Sequence, residues 1–175
     1  KVVASYERSL IETEEGRKYL EKRGITDTGL FSRNRIGYAN GRLKELLPKE
    51  GPIWNELKTI GVILENGAER FKDCVVFPVY DCDGGITTIY ARYIGDGPKR
   101  HLFLPDRSTG LWNAIAMKTF SEIILVESVI DALSVMMAGH QNVIAIQGTN
   151  GLSDADIALL KTHGVQTVKL LLDGD

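Results

Sequence analysis

Glu122-Ile123-Ile124-Leu125-Val126-Glu127-Ser128 decides the reading of the chain. A short apolar run rich in branched residues, stopped by an acid and a helix-capping Ser, predicts a buried strand feeding a helix. Ser128–Ala138 continues as that helix and Gly139 closes it. Asn142–Ile146 reads as a second strand. Ser153–Thr162 reads as a helix capped by Ser153 and closed by Gly164, and Gln166–Leu172 as a third strand. Strand, helix, strand, helix, strand with short links predicts a parallel sheet with right-handed crossovers.

Upstream the pattern is less regular. Residues 3–23 read as an amphipathic helix with Ser5 as N-cap, Tyr6, Leu10, Tyr19 and Leu20 on its apolar side, and Gly24 at its C-terminal turn. Gly16 is the point where that helix is expected to break. Residues 41–47 and 53–60 read as two short helices, and Asn66-Gly67 as a turn. Asp73–Tyr80 and Gly85–Ile94 are β-rich runs joined by Asp81-Cys82-Asp83-Gly84, a hairpin signal, and Pro98–Pro105 reads as a further extended segment. The expected fold is therefore mixed: an α+β N-terminal subdomain over 1–116, then a parallel βαβαβ unit over 117–175.

Charge divides along the same line. Residues 1–116 hold 18 Lys and Arg against 16 Asp and Glu, a net of +2; residues 117–175 hold 3 against 7, a net of −4. A basic part joined to an acidic part suits an enzyme that grips polyanions beside metal ions. The two cysteines, Cys74 and Cys82, have no His or further Cys near them, so zinc is not expected there and reduced cytoplasmic thiols are. No apolar run reaches the ~18 residues of a membrane helix, and no signal peptide is visible. The chain starts at Lys1, not Met, as a fragment of a longer protein would.

Two acidic pairs carry the chemistry. Glu127 and Asp131 are spaced i and i+4 around the start of the predicted helix, a spacing that on one helix would aim both carboxylates at one volume. Asp173 and Asp175 follow the third strand in Leu172-Asp173-Gly174-Asp175. Ligands of open parallel sheets collect at the carboxyl ends of the strands. Carboxylates gathered there repel unless a cation holds them, and all-oxygen sites of this kind favour Mg²⁺ or Mn²⁺ acting on phosphates. Taken singly, each pair is an ordinary surface turn or solvated helix face; it is their placement at matching strand ends that points to a site. Gln147-Gly148-Thr149-Asn150-Gly151 reads either as a close-approach phosphate loop or as a plain strand-to-helix turn.

Residues 124–175 resemble the TOPRIM domain of bacterial primases, topoisomerases and some nucleases, through Leu125-Val126-Glu127-Ser128-Val129-Ile130-Asp131-Ala132-Leu133, Ala145-Ile146-Gln147-Gly148-Thr149 and Leu172-Asp173-Gly174-Asp175. Upstream, Gly16–Ile25, Arg33–Ala39, Glu69–Val79, the run ending Ala91-Arg92, and Gly97-Pro98-Lys99 resemble the polymerase core of DnaG-type bacterial primases. The resemblance implies Glu127, Asp131, Asp173 and Asp175 as catalytic acids, with Glu127, Asp173 and Asp175 as metal ligands. It implies Arg23, Arg92 and Lys99 as nucleotide- or DNA-binding residues, with Arg70, Lys72 and Arg100 beside them. Ser128 stands where primases usually have Gly. Cys74 and Arg100-His101-Leu102-Phe103 depart from the usual Arg and Tyr-Leu-Asn pattern, as expected of a divergent member from a phage or mobile element.

The function implied is RNA primer synthesis on single-stranded DNA from ribonucleoside triphosphates, with Mg²⁺ or Mn²⁺, an RNA–DNA hybrid as product and a place in the cytoplasmic replisome without a membrane. The family's zinc-binding module, its helicase-binding module and the last part of its TOPRIM fold are expected outside these residues, so the isolated chain is expected to be weak in metal binding and activity. Two rivals stand beside this reading: another TOPRIM enzyme, a nuclease or topoisomerase, and a non-catalytic nucleic-acid-binding TOPRIM module.

Overall fold

The computed structural model describes residues 1–48, 50–98, 100–105, 110–146 and 152–172. Chain contacts divide the protein into two compact units. The first comprises Lys1–Lys22, Thr26–Pro78 and Ile89–Arg107; the second comprises Arg23–Ile25, Val79–Thr88 and Ser108–Asp175.

In the first unit, α1 (Val2–Glu12) buries Val3, Tyr6, Ser9 and Leu10 along one stripe. It starts ahead of Ser5, which lies inside it and donates its backbone N–H to the Lys1 carbonyl at 3.0 Å. The helical run does break in two, but at Thr13, which is extended, and not at Gly16. Gly16 lies within α2 (Glu15–Lys22), where a β-carbon would meet Leu10 Cδ1 at 2.7 Å and Tyr38 Cβ at 2.9 Å. It is a contact residue, not a breaker. Gly24 follows α2 with φ +80°, as a C-terminal Gly should.

Asp27 caps α3 (Thr28–Arg33) by accepting from the Gly29 amide at 2.7 Å and the Leu30 amide at 3.3 Å. β1 (Gly37–Ala39) runs antiparallel to β2 (Cys74–Tyr80), with Tyr38 opposite Val75. Two short helices, α4 (Leu43–Leu46) and α5 (Pro52–Thr59), and the turn at Gly67 lead into β2. β3 (Ile86–Tyr93) and β4 (His101–Phe103) complete a four-stranded sheet in the order β1-β2-β3-β4. Val3, Tyr6, Leu57, Ile63, Phe71, Val76, Ile89 and Ala91 form a core against this sheet.

The second unit holds the parallel sheet. β5 (Glu122–Val126) is central, flanked by β6 (Val143–Ala145) and β7 (Thr167–Leu170). Both pairings are parallel, with Leu125 opposite Ile144 on one side and Leu170 on the other. The crossovers are α6 (Val129–Met137) and α7 (Asp154–Thr162). Ser128 and Ser153 cap them, each in a reciprocal capping box. The segment before β5 joins this core too. Leu111, Ala114 and Met117 pack with Ile123, Leu125 and Ile144, a 3-10 helix spans Ala114–Lys118, and Trp112 bridges to Ala145. The hairpin tip belongs here as well: Cys82 packs into this core, and Asp83 pairs with Lys118 at 2.8 Å.

Both cysteines are free and buried. Burial is the main cause that pushes the Cys74 thiol up to about 12 and also raises Cys82. Neither thiol is poised to react at neutral pH. Among the described residues no helix is long and apolar enough to cross a membrane.

One buried charge stands out in the first unit. Glu69 is 8% exposed; its Oε2 accepts from the Leu43 amide at 3.1 Å, while Oε1 has no hydrogen-bond partner. The Tyr6 hydroxyl is close enough to feel that carboxylate but lies off hydrogen-bonding geometry. Burial raises the Glu69 pKa above the ordinary range. The folded state therefore holds the proton more tightly than the unfolded chain. The stabilisation is complete below the ordinary glutamate range and is lost as pH climbs through the raised value. Glu69→Gln keeps an acceptor for Leu43 and removes this loss. In urea melts its stability relative to the parent should stay flat at acid pH and then rise as pH passes from about 4 toward 7. A parent that gains on the variant over that interval would contradict the buried-acid assignment.

Candidate active site

The site is built on the carboxyl edge of the parallel sheet. β5 ends at Val126, so Glu127 is the first residue beyond the strand, and it is exposed. Leu171 continues the β7 ladder by donating its amide to the Leu125 carbonyl at 2.9 Å. The described chain therefore reaches, at Leu171, the same edge as Glu127. Asp173 and Asp175 lie outside the described residues, as do Lys99 and the loop 147–151.

Asp131 is placed by the start of α6. Ser128 is extended (φ −127°, ψ 160°), so Glu127 stands ahead of the helix and the two acids are not an i,i+4 pair on one helix. Asp131 Oδ2 accepts from the Ser128 amide at 3.1 Å and from Ser128 Oγ at 2.6 Å, and Ser128 Oγ accepts from the Asp131 amide at 3.3 Å. One carboxylate oxygen is thus committed to the cap, which leaves Oδ1 outside it. Among the described residues no three His, Cys, Asp or Glu side chains form a metal-sized group. The donors present at the edge, Glu127 and Oδ1 of Asp131, are hard oxygens of the kind that suit Mg²⁺.

The basic residues divide between the units. Arg23 is exposed and belongs to the second unit, with Glu127 and Asp131. Arg70, Lys72, Arg92 and Arg100 belong to the first. Arg70 donates its Nε–H to the Gly61 carbonyl, fastening a tight turn. Lys72 is exposed, with its methylenes against Gly41. Arg92 and Arg100 are not brought onto one face. Arg92 pairs across the sheet with His101, whereas Arg100 stacks over the Tyr93 ring at 4.4 Å on the opposite face. The residues missed in the sequence are Tyr90 and His101, whose hydroxyl and Nδ1 lie 2.8 Å apart beside Arg92. Period-2 alternation through β3 was the signal that could have placed Tyr90 and Arg92 on one face.

A parallel sheet with an acid at its leading carboxyl edge, joined to a basic α+β unit, defines a TOPRIM-like class of protein. The family described as Toprim-like matches residues 124–175, and the family described as "DNA primase catalytic core, N-terminal domain" matches residues 5–128. The chain belongs to the DnaG-type DNA primase catalytic-core family. It is 29% identical to the DNA primase of Clostridium acetobutylicum over 92% of this chain and 29% of that protein. It is 30% identical to the DNA primase of Staphylococcus epidermidis over 94% of this chain and 30% of that protein. The chain thus spans about three tenths of the length of these relatives. Among solved structures, the Aquifex aeolicus primase with its zinc-binding and RNA polymerase domains matches with a TM-score of 0.85 and 27% identity, over 99% of this chain and 46% of that one. A DnaG primase catalytic domain bound to single-stranded DNA matches with a TM-score of 0.75 and 25% identity, over 99% of this chain and 61% of that one.

The capping box yields a metal-free test. Ser128→Ala and Asp131→Ala should each cost about 1 kcal/mol of stability in EDTA, since each removes half of the same cap. The double variant should lose less than the sum of the two. If Asp131→Ala melts like the parent in EDTA, the carboxylate is not held by Ser128.

Proposed function

We propose that this chain is part of the polymerase core of an enzyme that makes short RNA primers on single-stranded DNA by divalent-metal-dependent nucleotidyl transfer. The observation that supports this reading is the parallel register of β5 and β7, which carries Glu127 and the chain as far as Leu171 to one sheet edge. The DNA-bound state of the related DnaG catalytic domain supports a single-stranded template. On this reading residues 1–116 supply the basic part that holds nucleic acid, and residues 117–175 the acidic part that holds metal.

In the reaction a primer 3′-hydroxyl attacks the α-phosphate of an incoming ribonucleoside triphosphate. A new P–O bond forms, the α–β anhydride breaks and pyrophosphate leaves. Asp173, Asp175 and Glu127 would hold Mg²⁺ or Mn²⁺, which when bound polarises the phosphate and offsets its developing charge. Asp131 holds the start of α6 in place beside Glu127. Arg23, Arg92 and Lys99 would neutralise phosphates of the nucleotide or template, with Arg70, Lys72 and Arg100 contributing to the surrounding positive field. On this reading the replicative helicase would be engaged by a region outside these residues, and zinc would be held by a separate module.

The test is primer synthesis by the full-length parent with ribonucleoside triphosphates, Mg²⁺ and single-stranded DNA. Glu127→Gln should lower synthesis by about 100-fold or more while leaving DNA binding near the parent value. Undiminished synthesis by that variant would remove Glu127 from the site. Binding without synthesis in the unmutated parent would favour a non-catalytic TOPRIM module.

A further inference from the structure

Among the described residues, Arg92 and His101 form a cross-strand pair with no acidic partner. Arg92 is half-buried and has no ion pair or side-chain hydrogen bond with a described residue. Other arginines of the same unit are satisfied: Arg35 by Glu7 at 2.8 Å, Arg33 by Asp27 at 3.2 Å and Arg42 by Glu45 at 2.7 Å. A guanidinium that has lost part of its hydration without gaining a carboxylate is poised for an external anion.

His101 is the cross-strand neighbour of Arg92. Its Nδ1 lies 2.8 Å from the hydroxyl of Tyr90, which is 4% exposed. Tyr90 is itself fixed between aromatic rings, stacked on Phe77 at 5.6 Å and packed against Phe103 at 5.2 Å. When the tyrosine hydroxyl donates to Nδ1, the imidazole proton resides on Nε2, the nitrogen that Tyr90 does not engage. Protonation of the ring keeps a donor there and adds charge.

We propose that Arg92 and His101, with the imidazole oriented by Tyr90, form a two-point phosphate site for the backbone of single-stranded nucleic acid. The proposal rests on the reading that the Arg92 face of β3 and β4 meets nucleic acid. His101 is a binding residue and Tyr90 a positioning residue. Loss of hydration, then the Arg92 charge, hold the His101 pKa below the ordinary imidazole range. Arg92 and Tyr90 are the charged and titratable groups facing the ring from β3; on β4 the neighbouring Arg100 is turned onto Tyr93. A phosphate bound there would offset the Arg92 charge and raise the imidazole pKa.

The experiment is fluorescence anisotropy of labelled oligothymidylate with the 175-residue chain in EDTA, at several salt concentrations. The metal-free buffer separates this site from the acidic edge. His101→Ala should weaken binding by about 10-fold, and at pH 6 should flatten the salt dependence by about one phosphate contact. Tyr90→Phe keeps the ring stack and the net charge, so a loss of several-fold there reports lost orientation. If that variant fails to fold, His101→Gln, which retains a neutral donor, should recover part of the affinity lost in His101→Ala. NMR of the histidine rings supplies an independent readout: the His101 pKa should start low and rise when oligothymidylate is added. If Arg92→Ala weakens binding and His101→Ala does not, the two-point site is wrong and the nucleic-acid face stands. If Arg92→Ala also binds like the parent, or the parent does not bind, both readings fall.

Discussion

The in-register parallel pairing of β5 with β7 is the constraint on which the acidic edge depends. A parallel ladder fixes strand direction, so both strands must deliver their carboxyl ends to one side of the sheet. Pairing Leu125 with Leu170, and continuing to Leu171, sets the level at which each chain leaves the sheet. A register slip of one residue would turn β5's buried Ile123 and Leu125 outward and displace Glu127 along the edge. The apolar character of β5 and the position of its acid are therefore one requirement. β6 holds β5 from the other side, and Trp112 ties β6 to the chain that precedes β5.

In the first unit, the distribution of counter-ions separates structural cations from available ones. Arg35 sits in the left-handed region at φ 53° and still reaches Glu7 across α1, and Arg70 is spent on the Gly61 carbonyl. These cations hold helices and turns. Exposed pairs such as Arg42 with Glu45 add little stability, since water screens them. Arg92 differs because its described neighbours on this face, Tyr90, His101 and Phe103, are aromatic and include no acid. Net charge alone would not have distinguished it.

The parallel unit was legible in the sequence almost to the residue. Glu122–Val126 is β5 as read, and Ser128 and Ser153 cap the helices they were expected to cap. Local signals were strong there because each strand is an apolar run bounded by a cap or a Gly. The first unit was less legible. α3 and β1 went unread, because six and three residues are too few to show a period, and β1 exists only through its pairing with Cys74–Val76. The expected break at Gly16 failed for a tertiary reason: the glycine is there to admit Leu10 and Tyr38. At the site, spacing placed Glu127 and Asp131 together but implied a shared helix face. The extended Ser128 puts Glu127 outside the helix, and only the backbone dihedrals could reveal that.

The capping role of Asp131 follows from the same turn. A strand that passes straight into a helix leaves the first helical amides without partners. Ser128 and Asp131 satisfy amides at that end reciprocally, so α6 starts two residues after Glu127 with little freedom of its own. An acid on a free strand end would sweep a wide volume; an acid locked between the last rung of β5 and a capped helix has its backbone fixed on both sides. The capping bonds come through one carboxylate oxygen of Asp131, so the other stays available at the edge where Glu127 emerges. The local interaction that stabilises the helix is thus also the one that sets the position of the neighbouring carboxylate. Loss of Asp131 would therefore loosen the backbone beside Glu127 as well as remove a charge, and Asp131→Asn, which retains an acceptor for the Ser128 amide, separates the two effects.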